Sequence, residues 1–223
     1  MLERIGVRHG FGVRGSPEPA GLLRPRQVHG RAVARVCAGP RLDLLEADAV
    51  VSDLPGVAVG VVTADCVPIL VARVDGSAVA AIHAGWRGLA AGVIEAALDA
   101  LRQSARAPTA LVAVIGPHIS AAAYEVDEPV LDLVRHRFGS EAQPACRPTR
   151  AGHAQLDLAG LALLDLERAG VPAASVGLLP DACTYMHAER FHSYRRDGAQ
   201  AGRLLHFVAA SPTSRPGLGG PAA

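Results

Sequence analysis

The chain has 223 residues, half of them hydrophobic and only 4% aromatic, so it can bury a sizeable core built mainly from Ala, Val and Leu. The net charge is +1 and the charges are scattered, which leaves no basic stripe of the kind that binds nucleic acid. All 22 basic residues are arginine, which excludes a lysine nucleophile or Schiff base.

Strand and helix signals alternate along the chain. Together they predict an α/β or α+β fold with helices covering a mixed sheet, as one domain over residues 1–210, followed by a disordered Pro/Gly/Ser-rich tail over 211–223. Short strands are predicted at 32–36, 49–51 and 57–63, then a hairpin, a helix at 89–101, a strand at 111–115, helices at 128–138 and 158–169, and strands at 176–179 and 204–208.

The sequence shows neither the pattern of a signal peptide nor that of a membrane-spanning helix. The first residues lack the apolar core of a signal peptide, and charged residues and a proline interrupt the longest apolar stretch, 57–74. The four cysteines, at 37, 66, 146 and 183, show no CxxC spacing. A reduced, cytoplasmic protein without membrane contact is expected.

The hairpin is the strongest local signal. Asp75-Gly76 stands between two apolar runs, and such a dipeptide predicts a two-residue turn. A two-residue turn pairs Val74 with Ser77, whereas a three-residue turn would reverse the parity of the strands.

The hairpin register predicts a metal site. With Val74 opposite Ser77, Cys66 faces Gly85, and His83 is the diagonal neighbour of Cys66 on the same face. Diagonal Cβ atoms lie about 7–8 Å apart or somewhat less. A zinc ion can bridge that gap, because Zn–S bonds are about 2.3 Å and Zn–N bonds about 2.0 Å.

Three stretches carry candidate chemistry: RQVHG at 26–30, TADC at 63–66 and HAGWRG at 83–88. Taken singly, each side chain has a simpler interpretation. His29 would be a solvated loop residue, Cys66 a small core residue, and His83 a hydrogen-bonded core histidine. The hairpin strengthens the case for Cys66 and His83 together, but spacing alone does not connect His29 to them.

These stretches resemble the YfiH-type laccase-domain family, long called polyphenol oxidases and now regarded as purine nucleoside phosphorylases. The resemblance covers roughly residues 24–208. The matching segments, in family order, are RQVHG at 26–30, ADA at 47–49, TADCVPIL at 63–70, HAGWRG at 83–88, IGP at 115–117, YEV at 124–126, CT at 183–184, SYRRDG at 193–198 and GR at 202–203.

The resemblance implies a layered α/β/β/α sandwich with mixed sheets and implies that His29, Cys66 and His83 are zinc ligands. It also implies phosphorolysis of adenosine, inosine, guanosine and methylthioadenosine, together with adenosine deamination, so the expected partners are purine nucleosides and phosphate. Three protein ligands leave one open position, which is the catalytic pattern. A monomer is expected.

Further residues receive expected roles from the resemblance. Asp65 would shuttle protons or, alternatively, orient its loop through hydrogen bonds. Arg87 would hold phosphate, as would Arg195 and Arg196, unless the last two are simply an exposed basic pair. Gln27, in the same segment as His29, would contact substrate or phosphate.

Other functions stay open. Cys66 and His83 could be the nucleophile and base of a cysteine hydrolase or deamidase. The chain could also be a non-enzymatic metal-binding module. The older family name suggests a copper-dependent polyphenol oxidase, but only one compact ligand set is visible in the sequence.

One segment departs from the family pattern. A long segment usually separates the Gly-Phe near the start from the Gln-x-His motif, but here Phe11 and Gln27 are only sixteen positions apart (27 − 11 = 16). We expect the short segment to leave the site more open.

Overall fold

The structure, a computed structural model, describes residues 1–36, 42–103 and 110–212. Most of the predicted disordered tail, residues 213–223, lies outside this part of the chain. The strands are β1 (Arg8–Phe11), β2 (Val33–Arg35), β3 (Ala49–Ser52), β4 (Ala58–Thr63), β5 (Val67–Arg73), β6 (Val79–Ala84), β7 (Leu111–Ile115), β8 (Glu125–Asp127), β9 (Cys146–Pro148), β10 (His153–Leu156), β11 (Val176–Leu178) and β12 (Leu204–Ala209). The α-helices are α1 (Trp86–Ala91), α2 (Val93–Gln103), α3 (Glu128–Phe138), α4 (Leu158–Arg168) and α5 (Tyr194–Asp197).

The hairpin of β5 and β6 has the predicted register. Val67 pairs with Ala84, and Pro68 pairs with His83. These pairs have the register that a Val74–Ser77 pairing requires, so the predicted register is confirmed. The turn itself is longer than the predicted two residues, because the Gly76 N–H donates to the Arg73 carbonyl (2.8 Å) and the Ser77 N–H to the Asp75 carboxylate (3.0 Å). Gly76 has φ 69° within the turn, a backbone conformation that glycine adopts without steric cost.

The hairpin is the centre of a six-stranded mixed sheet with the order β11-β7-β5-β6-β3-β2. The outer pairs β11–β7 and β2–β3 are parallel, and the inner pairs are antiparallel. Two three-stranded sheets, β1-β12-β4 and β8-β10-β9, complete the strands of the described residues.

Both faces of the hairpin are buried, which explains its nearly unbroken apolar sequence. Ile69 and Ile82 pack on the side of helices α2 and α4, in the larger core cluster. Leu70 and Ala81 pack on the opposite side, against Val59 and other residues of the β1-β12-β4 sheet. The fold therefore has a helical layer, a six-stranded sheet and a second sheet, and the predicted α/β class with mixed sheets is confirmed.

The predicted continuous helix at 89–101 is wrong, because the chain forms α1 and α2 with a break at Gly92. Gly92 has φ 83°, in the left-handed region. A Cβ at this position would lie 3.3 Å from Arg137 Nη2 and 3.4 Å from Glu95 Oε2. The apolar residues that suggested one helix, among them Leu89 and Leu101, are nevertheless all buried.

Other boundaries agree closely with the sequence. Helix α3 has the predicted limits and ends at Gly139. Helix α4 starts at the predicted residue, where the Asp157 side chain accepts a hydrogen bond from the Gly160 N–H (2.9 Å), and ends one residue early. None of the helices among the described residues is both long and apolar enough to span a membrane.

Candidate metal centre

His29, Cys66 and His83 converge at one end of the hairpin. Their three nearest potential ligand atoms all lie within 4.8 Å of one another. Cys66 directly precedes β5, His83 lies in β6, and His29 comes from the loop before β2. The structure thus brings together the two hairpin residues that the register predicts and the histidine that spacing alone could not connect to them.

Burial decreases across the three side chains. His83 is buried, Cys66 is half-buried and His29 is exposed, so the group opens to solvent on the side of His29. The imidazole rings of His29 and His83 meet edge to face, with centroids 4.8 Å apart. Such a group has a protected side and an accessible side.

Gly85 makes room for the sulfur. A Cβ at this position would lie 2.8 Å from Cys66 Sγ and 3.4 Å from His29 Cδ2. Any side chain there would displace the thiol, so the glycine opposite Cys66 is a steric requirement of the group.

Asp48 organises both histidines and was not among the residues predicted to form the site. This fully buried carboxylate accepts N–H groups from Val28 (3.2 Å), His29 (2.9 Å) and Gly30 (2.6 Å), and His83 Nδ1 lies 2.8 Å from it. His29 has φ 60°, unusual for a residue with a side chain, and these bonds hold the loop in that shape. One feature of the sequence could have indicated Asp48: it directly precedes an apolar strand. A carboxylate buried at such a place needs hydrogen-bond partners.

Charge coupling favours the ionised forms of the group. Burial opposes ionisation of Cys66, but hydrogen bonds and charge interactions with His29 and His83 lower its pKa to about 6. Burial likewise opposes protonation of His83, but Asp48 and the Cys66 thiolate raise its pKa to about 9. The pKa of Asp48 is lowered, because burial is outweighed by its bonds to His83 and the loop N–H groups.

The donor set fits a thiophilic metal ion. A thiolate and two imidazoles suit zinc or copper rather than magnesium or calcium. Because Nδ1 of His83 is committed to Asp48, its Nε2 is the nitrogen left for a metal, an arrangement common among metal-binding histidines. Within residues 1–36, 42–103 and 110–212 this is the only group of three such side chains, whereas a multicopper centre needs several.

Asp65 ties three distant segments to the start of β5. Thr184 Oγ1 donates to its Oδ1 and the Arg195 N–H to its Oδ2, both at 2.6 Å, while the Ile119 N–H donates to its carbonyl (3.0 Å). Both carboxylate oxygens therefore accept hydrogen bonds, as expected if Asp65 orients its loop. The proton-shuttle role remains a prediction.

Of the three predicted phosphate-binding arginines, Arg196 is fully engaged within the protein. Its guanidinium donates to the carbonyls of Thr184, Tyr185 and Phe191 and, through Nε and Nη2, to the Asp197 carboxylate. These contacts use its five N–H groups, so Arg196 has none to offer a ligand.

Arg87 and Arg195 have guanidinium groups without a carboxylate partner among the residues that the structure describes. Arg87 is exposed and stacks on the Trp86 ring at 4.2 Å. Arg195 stacks on the Tyr124 ring at 4.8 Å and donates through Nη1 to the Glu125 carbonyl (2.9 Å). Both remain able to bind an anion.

Gln27 holds its segment against β4. Its Nε2 donates to the Val62 carbonyl (2.8 Å), and its Oε1 accepts the Val62 N–H (2.7 Å). The amide is thereby engaged with backbone, and the predicted contact with substrate stays a prediction.

A large cavity lies away from this group. It measures about 780 Å³ and lies between α3 and the β9–β10 pair, with Arg135, Cys146 and His153 in its lining. None of the three candidate metal ligands lines it.

Comparison with known proteins gives consistent results. A family model described as "Multi-copper polyphenol oxidoreductase laccase" matches residues 12–211. A curated relative from Xylella fastidiosa (strain Temecula1), named "Purine nucleoside phosphorylase", is 43% identical over 179 residues, which are 77% of this chain and 66% of the relative. The chain therefore spans just under two thirds of that relative's length. "Purine nucleoside phosphorylase YfiH" of Escherichia coli (strain K12) is 37% identical over 183 residues, which are 82% of this chain and 71% of the relative.

A solved structure shares the fold. The crystal structure of the Bacillus licheniformis hypothetical protein YfiH superposes with a TM-score of 0.83 and 24% sequence identity, covering 94% of each chain. The family match and the curated relatives confirm the resemblance stated from the sequence motifs: the chain belongs to the YfiH-type laccase-domain family.

Proposed function

We propose that the protein is a monomeric, cytoplasmic, zinc-dependent purine nucleoside phosphorylase that also deaminates adenosine. The proposed substrates are adenosine, inosine, guanosine and methylthioadenosine, each with phosphate. The observation that carries the proposal is the His29–Cys66–His83 group, open on one side. Arg87 follows His83 by four positions, and the Arg195 N–H is bound to Asp65, the neighbour of Cys66. The names of the curated relatives support it.

Phosphorolysis requires a phosphate oxygen to approach C1′ of the ribose. The new C1′–O bond forms as the C1′–N9 bond breaks, and the bonding electron pair leaves with the purine, which takes up a proton. The products are ribose 1-phosphate and the free base. Arg87 and Arg195 would neutralise the phosphate and hold it in line with the breaking bond, since positioning and charge compensation dominate such reactions.

The metal ligands have a separate task. His29, Cys66 and His83 would hold the ion, while Asp48 would orient the His83 imidazole and hold the loop of His29 through its backbone N–H. Zinc, when bound, supplies a Lewis acid that polarises an oxygen ligand or substrate atom. Copper suits the same donors, so metal analysis of the purified protein decides between the two.

Deamination of adenosine requires water to add at C6 of the purine and ammonia to leave, with protons moved between them. Asp65 is the predicted proton carrier. Asp65→Asn tests this role, because Asn can still accept the Arg195 N–H while the Thr184 hydroxyl turns to accept from the new amide. Loss of inosine formation in a stably folded Asp65→Asn variant would support proton transfer. Retained activity would leave Asp65 a positioning role.

A direct assay tests the proposal. Metal-loaded protein is incubated with adenosine, with and without phosphate, and the products are separated by chromatography. We expect adenine and ribose 1-phosphate only when phosphate is present, and inosine under both conditions. If no base is released with phosphate, the phosphorylase assignment fails for this chain.

A second candidate, a cysteine hydrolase or deamidase, is favoured by one observation. In the metal-free protein the pKa of Cys66 is lowered to about 6 beside two histidines, as in activated thiol nucleophiles. The two candidates respond oppositely to metal removal. Chelation should abolish base release by a zinc phosphorylase, whereas it should expose the thiolate of a hydrolase and increase ammonia release from amide substrates.

A further inference from the structure

Tyr124 lies under the guanidinium of Arg195, one of the two candidate phosphate-binding arginines. Its ring packs against the larger hydrophobic core, and its carbonyl accepts the Leu156 N–H (2.9 Å), so core packing and backbone pairing both restrain the residue. No hydrogen bond of its hydroxyl is found in the part of the chain that the structure describes. A restrained phenol without a bonding partner is a candidate ligand donor.

Arg195 connects Tyr124 to the segment that carries the candidate ligand Cys66. The Arg195 guanidinium stacks on its ring at 4.8 Å, while the Arg195 backbone N–H is bound to Asp65 at 2.6 Å. Asp65 immediately precedes Cys66 in the sequence. Tyr124 is therefore linked through one arginine to the segment that carries Cys66.

Both negative and positive charges act on the phenol of Tyr124. Burial and the negative charges of Cys66 and Asp65 raise the pKa of Tyr124 to about 12, against the opposing effect of Arg195 and Arg87. The phenol thus stays protonated around neutral pH and can donate its O–H without ionising. Neither of the two guanidinium groups that act on it has a carboxylate partner in the described residues.

We propose that the Tyr124 hydroxyl donates a hydrogen bond to inorganic phosphate, in an oxyanion subsite whose other donors are the guanidinium groups of Arg87 and Arg195. The inference rests on the proposed function for the identity of the anion. Two cations compensate the charge of a phosphate dianion, and a neutral O–H adds a directional donor without further charge. Arg196 does not take part, because its donors are used within the protein.

Tyr124→Phe isolates the hydroxyl. Phenylalanine keeps the ring that packs on the core and on Arg195, and it removes only the O–H. The measurement is binding of radiolabelled inorganic phosphate to the metal-loaded protein by equilibrium dialysis, without nucleoside. We expect affinity to fall about 10-fold to 100-fold, the usual effect of losing a hydrogen bond to a charged group. The KM for phosphate should rise by a similar factor, with KM for adenosine and zinc content unchanged.

Tyr185→Phe is the matched control, because Tyr185 is 37% exposed and its carbonyl is held by Arg196 rather than Arg195. It should bind phosphate as the unaltered protein does. Unchanged phosphate affinity in Tyr124→Phe, or no phosphate binding by the unaltered protein, would overturn the subsite. If phosphate binds with the expected loss in Tyr124→Phe but no base is released from nucleosides, the subsite stands and the proposed function fails.

Discussion

Asp48 and His83 are joined by two hydrogen bonds, one through the backbone and one through the side chains. The His83 N–H donates to the Asp48 carbonyl (2.7 Å), and His83 Nδ1 lies 2.8 Å from the Asp48 carboxylate. The main chain and the imidazole of His83 are thus both fixed relative to one buried residue. The same carboxylate shapes the loop of His29, so two of the three candidate ligands depend on it.

Asp48→Asn should weaken metal binding about 10-fold to 100-fold, as is usual when the partner of a metal-binding histidine is lost. Asparagine keeps one acceptor oxygen, and its amide would face N–H donors of the loop or His83. Competition with a chromophoric chelator measures the affinity, and the absorption spectrum of the cobalt-substituted protein reports the ligand geometry. Asp165→Asn, another fully buried carboxylate, is the control. An unaltered cobalt spectrum and affinity in Asp48→Asn would contradict this role.

Cys66→Ala should reduce zinc from about one ion per chain to a small fraction of that, because two imidazoles alone rarely retain zinc. The measurement is metal analysis of the purified, folded variant. Cys146→Ala serves as the control, since Cys146 is also half-buried but lines the distant cavity. Full zinc content in folded Cys66→Ala would remove the thiol from the site.

His206 should make the protein less stable in mild acid. Burial, with the charge of His83, lowers its pKa from 6.5 to about 3. Above pH 6.5 the ring is neutral in both the folded and unfolded states and contributes nothing. As the pH falls from 6.5 towards 3, the unfolded chain binds a proton that the folded chain excludes, and the free energy of unfolding decreases by about 1.4 kcal/mol per pH unit.

Urea unfolding between pH 7.5 and 5 measures this decrease. His206→Gln retains a polar group for Thr63, whose hydroxyl lies 2.9 Å from His206 Nε2, and it cannot titrate. The variant should lose less stability on acidification than the unaltered protein. Equal losses in both proteins would show that His206 is not responsible.

Lengthening the short segment before Gln27 should lower the KM for adenosine at constant kcat. A more enclosed pocket would add binding energy to ground state and transition state alike. The loop between Gly15 and Gly21 is suited to insertion of a full-length family segment, because a Cβ at either glycine would meet no atom within 4 Å. If the chimera folds and its KM for adenosine is unchanged, the inserted segment does not contribute to adenosine binding. If kcat rises instead, the segment also stabilises the transition state.

The parts predicted correctly from the sequence depend on local chemistry. Asp75-Gly76 marks the position of the turn, and the even number of residues in the loop keeps the predicted register, which brings Cys66 and His83 onto one face. Gly139 directly follows the periodic apolar residues, and its φ of 63° ends α3 there. In each case, the residues that decide the structure are neighbours in sequence.

The errors and omissions arise from contacts between distant residues. Gly92 breaks a helix whose apolar pattern is continuous, and the side chain packed against that glycine comes from Arg137. The role of Asp48 cannot be inferred from its neighbours in sequence, because its partners are in the loop of His29 and the strand of His83. The strands β8, β9 and β10 have three or four residues each, too few for a clear period.

The location of His29, Cys66 and His83 on three separate segments has a mechanical consequence. A metal ion held by all three would act as a removable cross-link between chain segments that are 17 and 37 positions apart (83 − 66 and 66 − 29). Loading would restrain the exposed loop of His29 against the hairpin, while metal loss would leave that loop to its bonds with Asp48. Resistance of residues 26–32 to proteolysis would then report metal occupancy.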